Sequence, residues 1–191
     1  MYELSNLILA SGSPRRKELL QQIQLSFSIE VSHADETFPQ DLQPDEVVME
    51  LSKRKAASVA AGHPGAFVIG SDTVVVHDGA ILGKPEDSSH AKEMLRKLSG
   101  STHSVYTGVA IVKDEQEKMF YKKTDVTFWE LTEEEIDTYA ASGEPLDKAG
   151  GYGIQGLGAF LVKEIRGDYF SVVGLPISQV YRSLKEMGFH P

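Results

Sequence analysis

Four segments of this sequence bring together side chains suited to phosphate and metal chemistry. The first is Ser11-Gly12-Ser13-Pro14-Arg15-Arg16-Lys17, where small residues and a proline precede three consecutive cations. If a helix starts here, its free N–H groups and positive dipole end face an approach that the small residues leave open, which is an anion site in outline. The same residues serve equally as an ordinary capped helix with solvated cations. A Walker A loop is excluded, because the glycines and the terminal Gly-Lys-Ser/Thr are missing. The second segment is Ile69-Gly70-Ser71-Asp72-Thr73, to be taken with the acidic pair Asp35-Glu36. Carboxylates at strand ends and in loops are the oxygen donors that Mg²⁺ or Mn²⁺ prefers, and they could also activate water. The competing reading makes Asp72 a turn cap and leaves the acidic pair solvated.

The third segment, Gly83-Lys84-Pro85, sets a lysine beside a fixed loop, with Lys53-Arg54-Lys55 as a second cationic group. An ammonium group can reach an oxyanion as a point charge, although surface lysines explain themselves when taken singly. The fourth segment, Asp147-Lys148-Ala149-Gly150-Gly151-Tyr152-Gly153-Ile154-Gln155-Gly156, contains a literal G-x-G-x-x-G. A dinucleotide fold needs a strand before that motif and a helix after it, and the order here is helix, loop, strand, so that reading fails. No His-Arg-Asp or Asp-Phe-Gly triplet supports a protein kinase. What remains is either a bare glycine-rich turn or a backbone able to close on a ligand, with Gln155 offering a donor and an acceptor to a base edge.

Elements must position these groups. Residues 7–10 read as a strand, Ser13 as an N-cap and Pro14 as the first helical residue of a helix over 15–22. Residues 27–31 alternate like a strand, and a second helix is expected over 44–61. A strand over 66–69 should deliver Asp72 at its end before 74–76 resumes, and Asp78-Gly79 marks a hairpin. Further expectations are a helix over 87–98, a long hairpin of 104–112 with 119–128, and a helix opened by the Thr132/Glu135 capping box. Residues 159–165 and 169–173 read as a strand pair around Arg166-Gly167-Asp168, with a last helix to about Met187. The whole is expected to be one α/β domain over 1–191 with a mixed sheet.

Composition narrows the chemistry. With 191 residues, 41% of them hydrophobic, the chain can bury a substantial core without staples. It contains no cysteine, which excludes disulfides, thiol catalysis and thiolate metal sites and suits a cytoplasmic location. No signal peptide or membrane span is expected. A formal net charge of -9 speaks against nucleic acid or an anionic membrane as partner, so phosphate binding would have to be local. The six histidines show no metal-ligand spacing and most of them read as surface residues, while Trp129 and the tyrosines read as packing residues.

Taken in order, six pieces of the chain resemble the Maf family of nucleotide pyrophosphatases. They are Leu9-Ala10-Ser11-Gly12-Ser13-Pro14-Arg15-Arg16, Ile69-Gly70-Ser71-Asp72-Thr73-Val74, Gly83-Lys84-Pro85, Leu95-Arg96-Lys97-Leu98-Ser99-Gly100, the Asp147-to-Gly156 loop and Val173-Gly174-Leu175-Pro176. The resemblance implies a long curved mixed sheet flanked by helices, with two lobes around a cleft, similar to the inosine triphosphate pyrophosphatase fold. It also implies metal-dependent hydrolysis of the α–β phosphoanhydride of a nucleoside triphosphate, releasing pyrophosphate. Arg15, Thr73 and Gln155 match the branch associated with dTTP and UTP, and the 7-methyl-GTP branch differs at these positions. Gly151 departs from the alanine frequent in related sequences, which bears on loop stiffness alone.

Residue by residue, the resemblance makes Asp72 the proton acceptor and a metal contact, and Glu36 a second metal or water ligand. Ser11, Arg16, Lys55 and Lys84 become phosphate contacts. The implied cofactor is Mg²⁺ or Mn²⁺, and a homodimer stays open as the assembly. Two other functions compete: a nucleotide-binding regulator of cell division with little turnover, and a phosphatase releasing single phosphates.

Overall fold

The structure, a computed structural model, describes residues 6–191. The chain runs through β1 (Leu7–Leu9), α1 (Pro14–Gln22), β2 (Ser28–Ile29), α2 (Pro44–Ala60), β3 (Phe67–His77), β4 (Ala80–Leu82), α3 (Ser88–Leu98), β5 (Thr102–Lys113) and β6 (Gln116–Phe128). It continues through α4 (Glu133–Ala141), three short 3₁₀ turns (Glu144–Asp147, Ala149–Gly151 and Gly156–Leu161), β7 (Val162–Arg166), α5 (Tyr169–Val173) and α6 (Ile177–Glu186). The sheet has seven strands in the order β2-β1-β3-β5-β6-β7, with β4 on β3. β1 is parallel to both neighbours, whereas β4 and β7 pair antiparallel, so the sheet is mixed as expected. No helix among the described residues is long and apolar enough to cross a membrane.

Two compact units share the long strands. One comprises the chain up to Asp72, Thr107–Lys122 and Gly174–Pro191, and the other Thr73–Tyr106 and Lys123–Val173. In the first, all three residues of β1 are buried, which is why this strand between two parallel partners reads as an unbroken apolar run. β2 is shorter than the 27–31 alternation suggests. Its partner residues on β1, Ile8 and Leu9, are the last that β1 can offer. Helix α2 buries Val47, Val48, Leu51, Ser52, Ala56 and Val59, one face at helical spacing. Its start is fixed by a capping box of Gln43 with Glu46, where the Gln43 N–H donates to Glu46 Oε2 at 2.8 Å.

β3 corrects an expectation. Residues 70–73 form no break, and β3 is one strand of 11 residues with Asp72 in its middle. The small residues there answer to packing instead of turning. A Cβ on Gly70 would lie 2.2 Å from the Ser52 carbonyl oxygen and 2.6 Å from the Ala56 nitrogen, and one on Gly108 would lie 2.3 Å from the Val48 oxygen. Two strand glycines therefore let α2 lie directly on the sheet.

The second unit holds a core of Val75, Leu95, Leu98, Val126, Phe128 and Tyr139 with their neighbours. The Asp78-Gly79 hairpin and the Thr132/Glu135 capping box are present as expected. The strand pair expected around Arg166-Gly167-Asp168 is not. β7 pairs with β6, and Tyr169–Val173 is helix α5. Asp168 decides this, because its Oδ1 accepts the N–H groups of Phe170 at 2.8 Å and Ser171 at 3.4 Å and so opens a helical turn.

Most of the histidines are expected at the surface, but His103 is 2% exposed and shares a 2.6 Å hydrogen bond with the Tyr152 hydroxyl. Burial, then the neighbouring His77, lowers its pKa from 6.5 to about 4, against a smaller raising effect of Asp125. The fold thus holds the neutral imidazole, while the unfolded chain takes up a proton at higher pH. Stability from this group is complete above pH 6.5 and is lost as pH falls toward about 4. The loss amounts to at most roughly 3 kcal/mol. Urea unfolding between pH 7 and 4.5 should show a shallower decline in His103→Gln than in the parent. Equal slopes would mean that His103 is protonated without penalty.

Candidate active site

In the first unit, Asp72 meets a cation brought by α2. Lys55 Nζ lies 2.6 Å from Asp72 Oδ1 and 3.2 Å from Glu36 Oε1. The Lys55 and Asp72 side chains are each 12% exposed, whereas Glu36 is 63% exposed. A buried carboxylate and a solvated one therefore converge on a single ammonium group. This convergence follows from the contact at Gly70, since Lys55 is one residue from Ala56, which that glycine touches.

The basic junction lies in the same unit. Arg16 donates from Nε to the Gly174 carbonyl oxygen at 2.8 Å and from Nη1 to Ser11 Oγ at 3.3 Å. Burial lowers the Arg16 pKa, Asp72 raises it in opposition, and Arg15 and Glu36 add smaller effects of opposite sign. The four charged groups are close enough to feel one another, and Arg16 stays cationic. Ser13 is the N-cap of α1, as expected, but its side chain does not cap, and the Ser11 hydroxyl accepts the Ser13 N–H at 3.2 Å instead. Thus Ser11, Arg15, Arg16, Glu36, Lys55 and Asp72 are brought together.

Several positioning groups escaped the sequence. Arg54 donates to the carbonyl oxygens on either side of Glu36, Asp35 O at 3.3 Å and Thr37 O at 2.7 Å, and so fixes the loop that presents Glu36. The Asp35 carboxylate accepts the Thr37 N–H at 2.9 Å and hydroxyl at 2.8 Å, and the backbone bond leads in holding its pKa below the usual carboxylate range. Asp35 is thereby spent on its own turn. The single Ser71 hydroxyl proton is shared between the carbonyl oxygens of Gly108 at 2.9 Å and Gly174 at 3.1 Å, so the Val173-to-Pro176 segment supplies a carbonyl that Ser71 and Arg16 both reach. Adjacent Arg and Lys residues on α2 signal an ion cluster, but no spacing rule points to a backbone carbonyl as the partner.

The remaining predicted residues, Thr73, Lys84 and Gln155, belong to the second unit. Thr73 follows Asp72 on β3 and is half-buried. Lys84 is exposed after β4, and Gln155 is half-buried in the glycine loop. Their two loops are tied, because the Gly150 N–H donates to the Gly83 oxygen at 3.0 Å.

The donor set fits a hard divalent cation. Asp72 and Glu36 offer carboxylate oxygens around a position that already accommodates positive charge. Among the described residues, no group of three or more His, Cys, Asp or Glu could hold a metal ion. A metal here would rest on these two carboxylates and complete its shell with water and phosphate oxygens, as Mg²⁺ commonly does.

The family described as Maf-like protein matches residues 6–187. A dTTP/UTP pyrophosphatase of Bacillus mycoides is 56% identical over 183 residues, 96% of each chain. One from Bacillus cytotoxicus is 56% identical over the same coverage. Among solved structures, a HAM1 protein from Coxiella burnetii shares the fold at a TM-score of 0.53 and 13% identity, covering 96% of this chain and 100% of that one.

Proposed function

Since the chain belongs to the Maf-like protein family, we propose that it hydrolyses the α–β phosphoanhydride of dTTP and UTP, giving the monophosphate and pyrophosphate. The single observation that carries the chemistry is the convergence of Asp72 and Glu36 on Lys55, in the unit that holds the basic start of α1. Matching of residues 6–187 in one stretch supports a single functional domain over 1–191.

Asp72 accepts a proton from the attacking water as the water oxygen bonds to the α-phosphorus. The α–β bridging oxygen departs with its electron pair on pyrophosphate. Mg²⁺ or Mn²⁺, bound by Asp72 and Glu36, would supply charge neutralisation and an acidified water. Ser11, Arg16, Lys55 and Lys84 bind phosphoryl oxygens and stabilise the charge that develops on them. Lys55 is suited to exchange its carboxylate partners for phosphate, because it is a flexible point charge already at the acidic pair. Arg15, Thr73 and Gln155 select the base. A regulator that only binds nucleotide would need these cations but not two carboxylates on one lysine.

Selectivity tests the assignment. The Gln155 amide can pair with the donor and acceptor edge shared by thymine and uracil, and a buried amide left mismatched costs about 1 to 3 kcal/mol. Gln155→Ala is expected to lower kcat/KM for dTTP and UTP much more than for ATP and CTP, flattening the preference. Lys84→Ala should weaken all four alike, since phosphate carries no base identity. A preference profile unchanged in Gln155→Ala would move base reading to Arg15 or Thr73.

A further inference from the structure

The glycine loop is organised around one carboxylate, that of Glu144. Its Oε1 accepts the Tyr139 hydroxyl at 3.0 Å and the Gly158 N–H at 3.2 Å, and its Oε2 accepts the Leu157 N–H at 3.2 Å. Tyr139 in turn accepts the Gly153 N–H at 3.0 Å. Backbone amides on both sides of Gln155 are therefore fastened, directly or through one phenol, to a single side chain. Burial raises the Tyr139 pKa far above its usual range, so the phenol keeps the proton that it donates.

The glycines make this arrangement feasible. A Cβ on Gly153 would lie 2.6 Å from Lys148 Cε, one on Gly156 3.0 Å from Glu144 Oε2, and one on Gly158 2.1 Å from the Gly153 oxygen. Lys148 completes the clamp by donating to the Glu144 carbonyl oxygen at 2.7 Å. Gly156 thus lies directly against the Glu144 carboxylate and Gly153 against Lys148, while Gly158 packs on the Gly153 carbonyl, so this part of the loop is closely packed.

We propose that Glu144 is a positioning residue for base selection, holding the backbone on either side of Gln155 so that its amide meets the pyrimidine edge in one geometry. This rests on the reading of Gln155 as the base-selective residue. In Glu144→Gln the carboxamide nitrogen cannot accept an N–H, so one loop amide loses its partner and faces a donor instead.

The test measures kcat/KM for dTTP and ATP, together with hydrogen exchange of the 153–158 backbone, in Glu144→Gln, Tyr139→Phe, Gln155→Ala and the Glu144→Gln/Gln155→Ala double variant. Glu144→Gln is expected to reduce the dTTP-to-ATP preference by roughly tenfold to a hundredfold and to speed exchange in the loop. Tyr139→Phe should act in the same direction and reads the clamp should Glu144→Gln fail to fold. Adding Glu144→Gln to Gln155→Ala should change the preference no further, because the effect passes through Gln155. An unchanged preference in folded Glu144→Gln, with Gln155→Ala altered, overturns the role of Glu144 and leaves that of Gln155. A preference altered in Glu144→Gln but not in Gln155→Ala overturns the proposal, because the effect of Glu144 then does not pass through Gln155. If neither variant alters the preference, both assignments fall.

Discussion

Asp72→Asn is expected to fold normally and to turn over dTTP roughly two to four orders of magnitude more slowly than the parent, the usual scale for losing a positioned base or metal-held water. The substitution is nearly isosteric and sits within β3, where an amide oxygen can still accept from Lys55 Nζ, now 2.6 Å from the carboxylate. What disappears is the negative charge that takes a proton and binds a cation. The effect should fall on kcat, with a smaller change in KM, because Ser11, Arg16 and Lys55 remain. Steady-state kinetics on protein with a parental melting curve decides the matter. Near-normal turnover would make Asp72 a structural partner of Lys55 and nothing more.

The second large effect concerns Gly70, through which the fold reaches the site. An alanine methyl there would stand 2.2 Å from the Ser52 oxygen and 2.6 Å from the Ala56 nitrogen, both backbone atoms of α2 that cannot rotate away. The helix must move off β3, and overpacking of this kind costs about 1–3 kcal/mol and occasionally more. Gly70→Ala should sit at the upper end, lowering Tm by about 10 °C for a chain of this size. Activity should fall with it, because the displaced helix carries Lys55. Gly83→Ala is the control, since its Cβ meets nothing within 4 Å and its φ is not left-handed. A Tm in Gly70→Ala equal to that of Gly83→Ala would show that α2 does not bear on the strand as described.

Much of this was legible in the residues. The helix boundaries at Pro14 and Pro44, the Thr132/Glu135 box and the Asp78-Gly79 hairpin were readable because each rests on local chemistry within four residues. The break expected at residues 70–73 arose because glycine and serine were given their turn meaning, while here they make space for a helix distant in sequence. Residues 169–173 are apolar enough for a strand, yet the Asp168 carboxylate starts a helix, a competition that periodicity cannot register. The charged residues of the candidate site stood out in the sequence by their types. Their supports, Arg54 to the carbonyl oxygens beside Glu36 and Gly174 to Arg16, use backbone atoms, which every residue carries and no composition reveals.

The central claim is the bond that is cleaved and the atom that is attacked. The protein should be incubated with dTTP and Mg²⁺ in water enriched in heavy oxygen, and the products separated and weighed by mass spectrometry. The expected products are dTMP carrying the heavy oxygen and unlabelled pyrophosphate, with no reaction in excess EDTA. Release of orthophosphate with dTDP, label in pyrophosphate, or undiminished turnover under chelation would contradict attack at the α-phosphorus by water activated at Asp72 and Glu36.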